Sequence, residues 1–168
     1  EKYKGLDWLI MSMNILVKKI PDIKLIIAGQ GDLSKYQEII SDTRHYEIHN
    51  KYIPDEDVPY LFERAKIIVL PYIEGTQTGI IPIASAFKKP VVATNVGSIP
   101  EAVEDGFTGY IVPPKDEKAF AEAVLKLLEN EGLAKQMGEK AYIKMRKELS
   151  WDKIINDIID IYKIYGKI

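Results

Sequence analysis

Three short stretches of this 168-residue chain combine residue types and spacing suited to an anionic, hydroxyl-bearing ligand. The densest is Glu74-Gly75-Thr76-Gln77-Thr78-Gly79, set between the apolar run Ile67-Ile68-Val69-Leu70, stopped by Pro71, and an apolar stretch beginning at Ile80. Free N–H groups at the start of a helix, with the positive end of its dipole behind them, suit a phosphate. The same residues also read as an ordinary helix start with Thr76 or Thr78 as N-cap. Glu74 follows a strand end, where a carboxylate can accept hydrogen bonds from sugar hydroxyls; otherwise it is a solvated loop acid. Lys4, in Tyr3-Lys4-Gly5, is either a phosphate clamp or a solvated lysine. Gly29-Gln30-Gly31-Asp32 comes after another apolar run and permits a tight turn, with Asp32 placed to cap a helix carrying Tyr36. This Gly-x-Gly lacks the third glycine of the dinucleotide fingerprint.

Other chemistry-bearing residues form no catalytic set. His45 and His49 straddle the start of a predicted strand and read as polar surface positions, not as a metal pair. Ser85 lies inside an apolar helix and reads as packing. Glu56, Asp57, Glu104 and Asp105 read as helix-start and turn acids. There is no nucleophile elbow and no complete P-loop.

The elements that must position these residues alternate along the chain. Leu6, Leu9, Ile10, Met13, Leu16, Val17 and Ile20 recur at helical spacing and predict a helix stopping before Pro21. Unalternating β-branched runs at 23–28, 67–70 and 91–93 read as strands buried on both faces, the habit of parallel sheets. Further strands are predicted at 46–52 and 109–112. Helices are predicted to carry Tyr36, Ile39 and Ile40, to start at Pro54, to run over 80–87, and to form a short turn at 101–103. Three more are expected after Pro114, the last carrying Trp151, Ile154, Ile155, Ile158, Ile159, Tyr162 and Tyr165. Five strands alternating with helices predict an α/β fold, a doubly wound, Rossmann-like parallel sheet with C-terminal helices, in one domain over 1–168. In such sheets ligands gather at the carboxyl ends of the strands, where the three stretches fall.

Composition narrows the classes. Hydrophobic content of 46% with 29% charged residues is ordinary for a globular domain. A net charge of −2 gives no reason to expect nucleic acid or an anionic membrane surface as a partner. Without cysteine there is neither a disulfide framework nor cysteine-ligated zinc, which fits a cytoplasmic location. No apolar run approaches a membrane span of about 18 residues, and no signal peptide is visible.

Several motifs, in this order, resemble the donor-binding C-terminal half of glycosyltransferase family 4, whose members have the two-domain GT-B architecture. They are Tyr3-Lys4-Gly5-Leu6; Leu25-Ile26-Ile27-Ala28-Gly29-Gln30-Gly31; Tyr52-Ile53-Pro54-Asp55; the Leu70-Pro71 loop; the run from Pro90 to Glu101; Gly106-Phe107-Thr108-Gly109; and Ser150-Trp151. The resemblance implies transfer of a sugar from a nucleotide diphosphate donor, with retention at the anomeric carbon and with no cofactor or essential metal. It implies that Lys4 neutralises the diphosphate, that Gly29 and Gly31 let backbone approach the nucleotide, and that the main chain at Ile53 borders the base. Thr78, Gly79 and Ile80 would offer amides to the phosphates, and Glu74 would be the catalytic-loop carboxylate.

The chain departs from the family pattern in ways that shape these expectations. With Gly79 taken as the family's helix-start glycine, the family's two glutamates fall at Thr76 and Ala84, and Glu74 replaces the first only if the loop shifts. A subgroup carries a Gln-Ser/Thr-Gly loop, as Gln77-Thr78-Gly79 does here. The N-terminal acceptor domain and the first strand of this half are expected to lie outside these residues. The acceptor, a sugar, lipid or other group, would then be held by that domain, which could also bring the enzyme to the cytoplasmic face of a membrane. These residues alone are not expected to turn over. Two alternatives stand beside this: an inactive nucleotide-sugar-binding or interaction module of the same fold, and a fragment of a GT-B-type nucleotide-sugar epimerase.

Overall fold

The alternation of short β-branched runs with amphipathic stretches produces, in the computed structural model, parallel strands covered by helices. The structure describes residues 2–166 except 37, 41, 76 and 149. Helix α1 (Leu6–Leu16) precedes strand β1 (Leu25–Ala28), and β2 (Tyr46–His49) precedes α2 (Val58–Arg64). Then come β3 (Ile68–Leu70), α3 (Ile80–Ala86), β4 (Val91–Thr94), α4 (Ile99–Ala102) and β5 (Gly109–Val112). The order ends with α5 (Glu117–Glu129), α6 (Glu131–Glu148) and α7 (Trp151–Tyr165). All five predicted strands are present.

Among the described residues every strand pairing is parallel: β1 with β2, β3 with β4, and β4 with β5. Both faces of a parallel sheet need cover, and β4 shows how this chain supplies it. All four of its residues are buried. Val92 joins a core built with Leu9, Met13, Leu16, Phe120 and Leu127 of α1 and α5. Its neighbours Val91 and Ala93 join a second core with Ile81, Ala84, Ile99 and Val103. The two-residue period of a strand sends alternate side chains to opposite faces. The result is the doubly wound arrangement. Among the described residues the strands fall into two hydrogen-bonded groups, β1–β2 and β3–β4–β5. Ile27 of β1 and Val69 of β3 nevertheless pack on the same core.

Among the described residues the helix predicted around Tyr36, Ile39 and Ile40 is replaced by a 3₁₀ turn, Ser34–Tyr36, and by turn bonds from the Ile39 and Ile40 amides to the Tyr36 carbonyl (3.1 Å each); of the three apolar residues Tyr36 alone is buried. Asp32 accepts hydrogen bonds from the Ser34 amide (3.0 Å) and hydroxyl (2.6 Å), closing a local turn. Three apolar residues give too short a stripe to offset helix nucleation. The first helix also ends early, at Leu16, with its continuation to Ile20 tightened into turns on the Leu16 carbonyl. Helix α7 forms as predicted, capped by Ser150, but none of its residues is buried. Among the described residues no helix is long and apolar enough to cross a membrane.

Candidate functional site

The segment before α1 lies against the loop that leaves β3. The Ile73 amide donates to the Tyr3 carbonyl (2.8 Å), and the rings of Tyr3 and Tyr72 meet edge to face at 6.0 Å. Gly5 is required here twice over. Its φ is 65°, and a Cβ would lie 1.9 Å from the Pro71 carbonyl oxygen. Lys4 places its Nζ 6.0 Å from the Tyr3 ring centroid, at the outer reach of a cation–π contact. Tyr3, Glu74, Gly75 and Gln77 line an open recess of about 360 Å³. The packing thus brings Glu74 and the residue beside Lys4 to one mouth.

Thr78 continues the site toward α3. Its Oγ1 accepts from the Ile80 amide (3.2 Å) and lies 3.3 Å from the Tyr72 hydroxyl. The hydroxyl of buried Thr94 donates to the Tyr72 carbonyl and so fixes that residue from below. Thr78 therefore bonds the first amide of α3, as a cap would, while its hydroxyl also faces Tyr72. The expectations attached to Thr76, as cap and as a family glutamate position, lie outside the described residues. Gly79 has an ordinary φ of −70°, and nothing stands within 4 Å of where its Cβ would be. The fold does not need a glycine there. From Gln77 and Thr78 a second recess, about 380 Å³, runs between α3, α4 and α6 past Ser85, Ile99 and Lys144. Ser85, 6% exposed, is a wall of it and part of the packing.

The glycine turn after β1 is bonded to the loop after β2. The Gly29 amide donates to the His49 carbonyl (3.1 Å), and the Gly31 amide to Asn50 Oδ1 (2.9 Å). Gly29 sits at φ 133°, a conformation glycine adopts readily, whereas Gly31 has open space around its missing Cβ. With its amide already bonded, what Gly31 offers a ligand is the absence of a side chain. Ile53, half-buried, lies in the same loop as Asn50.

Beneath that loop, Glu47 accepts a bidentate pair of bonds from Arg64 of α2 (2.7 and 2.6 Å) and one from His49 Nε2 (2.7 Å). The Arg64 guanidinium first, and His49 second, hold the Glu47 carboxyl down at about 2. His45 instead bonds the Ile23 carbonyl through Nδ1 (3.0 Å). The two histidines thus have separate structural partners. No group of three or more potential metal ligands occurs among the described residues.

Tyr72 and Asn50 are site residues that sequence reasoning passed over. A tyrosine after a strand-ending proline and an asparagine at a strand end look like loop filler. No periodicity marks either one. Their roles come from what the fold puts opposite them.

The sequence profile of the family described as glycosyl transferases group 1 matches residues 1–144. An uncharacterized glycosyltransferase of Methanocaldococcus jannaschii is 28% identical over 165 residues, covering 96% of this chain and 42% of that protein. The GDP-mannose-dependent alpha-(1-6)-phosphatidylinositol monomannoside mannosyltransferase of Mycolicibacterium smegmatis is 35% identical over 147 residues, covering 80% of this chain and 38% of that protein. A solved complex of S. aureus TarM with fondaparinux, alpha-GlcNAc-glycerol and UDP superposes with a TM-score of 0.81 at 25% identity, over 95% of this chain and 33% of TarM. The chain thus spans less than half the length of these proteins.

Proposed function

Because the chain belongs to the group 1 glycosyltransferases, with the fold of a GT-B glycosyltransferase domain, we propose that it is the donor-binding part of an enzyme that moves a sugar from a nucleoside diphosphate sugar, with retention, to an acceptor held elsewhere in the protein. The observation that carries this is the packing of Tyr3-Lys4-Gly5 onto the Pro71–Gly79 loop, next to the start of α3. Tyr3, Glu74, Gly75 and Gln77 line the recess there, Lys4 is the chain neighbour of Tyr3, and the Tyr72 and Thr78 hydroxyls lie 3.3 Å apart beside the start of α3. An ammonium suits the charge of a leaving diphosphate. The hydroxyls of Thr78 and Tyr72 suit phosphate or sugar oxygens, and Glu74 suits a sugar hydroxyl. Gly29, Gly31 and the Ile53 main chain take the nucleoside, Gly79 gives the phosphates room, and the Ile80 amide becomes available to them if Thr78 turns its hydroxyl to the ligand.

Support for the donor class comes from the relatives: one is named for GDP-mannose, and TarM was solved with UDP. On this proposal the enzyme works in the cytoplasm or at the cytoplasmic face of a membrane, with neither cofactor nor metal. The acceptor half and a strand that pairs β1 with β3 come from the remainder of the full-length protein. The test is calorimetric titration of the full-length protein with UDP- and GDP-sugars, followed by kinetics of Lys4→Ala. A charge-assisted bond to phosphate contributes about 1.5–3 kcal/mol, so kcat/KM should fall about 10- to 150-fold with an unchanged melting temperature. Absence of binding by the intact protein overturns the proposal; wild-type kinetics in the variant removes Lys4 from it.

A second function is favoured by one observation. With Gly79 taken as the family's helix-start glycine, the second glutamate falls at Ala84 of α3, which is 0% exposed in the core. No side chain there reaches a ligand, which favours a module that binds the nucleotide sugar without transferring it. Sugar transfer by the full-length protein excludes it.

A further inference from the structure

The ladder between β1 and β2 ends at the pair Ala28 and His49, and one further bond, Gly29 amide to His49 carbonyl, extends it. That carbonyl also accepts from the Lys51 amide (2.9 Å), which turns the β2 backbone away and fills both lone pairs of the oxygen. Among the described residues the Gly31 amide bonds no backbone carbonyl. The Asn50 side chain supplies the acceptor instead, its Oδ1 standing 2.9 Å from the Gly31 nitrogen. An N–H can only donate, so this bond also settles which end of the Asn50 amide is oxygen.

The turn that Asn50 holds has little else to define it. Gly29, Gln30, Gly31 and Asp32 are all exposed, and two of the four lack side chains. Glycine loses more conformational freedom on ordering than any other residue. Among the described residues Asp32 bonds forward to Ser34, not back to the strands. Among the described residues Asn50 is therefore the side chain whose hydrogen bond joins the turn after β1 to the loop carrying Ile53.

We propose that Asn50 is a positioning residue of the donor site, whose side-chain oxygen keeps the Gly29–Asp32 turn and the Asn50–Ile53 loop in the arrangement that receives a nucleotide. This rests on the donor-binding function proposed above. Asn50 pre-organises the site and need not touch the ligand. Its loss makes the ligand do the ordering, which weakens binding without moving the chemistry.

The test uses the full-length protein with UDP and GDP as probes, measured by calorimetry, together with hydrogen exchange at the Gly31 amide and donor kinetics. Asn50→Ala should raise the Kd of the nucleotide that binds, and the donor KM, about three- to ten-fold, the range of one neutral hydrogen bond. kcat and the melting temperature should hardly move, and Gly31 exchange should speed up. Asn50→Asp retains the acceptor; it should restore slow Gly31 exchange and most of the affinity. Wild-type affinity in Asn50→Ala, with UDP or GDP still bound, overturns the proposal and leaves the donor site standing. Equal loss of affinity in both variants while Gly31 stays protected in Asn50→Asp also overturns it, by making the lost Nδ2 donor the operative group. If the wild-type protein binds neither nucleotide, the donor site itself falls, and this proposal with it.

Discussion

Gly5 and Gly31 are the same residue type under different constraints. Gly5 sits at φ 65° with the Pro71 carbonyl where a Cβ would go. Alanine there meets left-handed backbone strain of about 1–2 kcal/mol and a displaced loop. Gly5→Ala should lower stability by more than about 2 kcal/mol and, by shifting Lys4, impair donor binding as well. Gly31 has ordinary backbone and empty surroundings, so Gly31→Ala should leave the melting temperature nearly unchanged. If a nucleotide approaches that surface, the added methyl costs about 1–3 kcal/mol of binding, or roughly 5- to 150-fold in donor Kd. Thermal melts paired with UDP and GDP titrations of the full-length variants separate the two. A Gly31→Ala protein that binds as the wild type does would mean that no ligand comes near the turn.

At the scale of elements, the Glu47–Arg64 pair ties β2 to α2 and has a consequence in acid. The folded protein holds Glu47 at about 2, against an ordinary 4.5, because Arg64 and then His49 bond its carboxylate. A depressed carboxyl stabilises the fold in full above the unfolded value. That contribution fades as pH falls from about 4.5 to about 2. Glu47→Gln should therefore melt below the wild type at neutral pH, and the two melting curves should converge across this window. Asp42, held at about 2 by Arg44, is unchanged in both proteins and cancels in the difference. Since the pair is exposed, added salt should shrink the gap. A constant offset from pH 7 to pH 2 would show that the pair contributes nothing to the linkage.

At the scale of the whole molecule, the sheet divides at the seam between β1 and β3. Among the described residues each strand pairs on one side only, yet both feed one core through Ile27 and Val69. Unpaired strand edges are costly when buried and adhesive when exposed. If the full-length protein places a strand there, amides of β1 and β3 should exchange slowly in it and quickly in a protein of these 168 residues. Equal exchange in both would leave the seam unfilled. Helix α7 belongs to the same scale. Trp151, Ile155, Ile158 and Tyr162 lie 78, 49, 47 and 70% exposed, so its amphipathic face adds little to this core.

Much of the architecture was legible in the residues themselves. Five strands and the parallel class come from local rules: β-branched runs and proline stops act within a few positions. Of the proposed donor-site residues, Gly29 directly follows β1 and Ile80 opens α3 directly after Gly79, whereas Ile53 and Glu74 lie in the loops after β2 and β3. Tertiary structure decided the rest. Only packing could show that Gly5 answers Pro71, that Tyr72 stands over Thr78, and that Asn50 supplies the acceptor for Gly31. It also decided that the apolar residues around Tyr36 make a turn, and that α7 keeps its apolar face uncovered. The reason is distance along the chain. A cap or a breaker acts on its own neighbours, whereas the partner of Gly31 lies 19 residues away and is set by strand register.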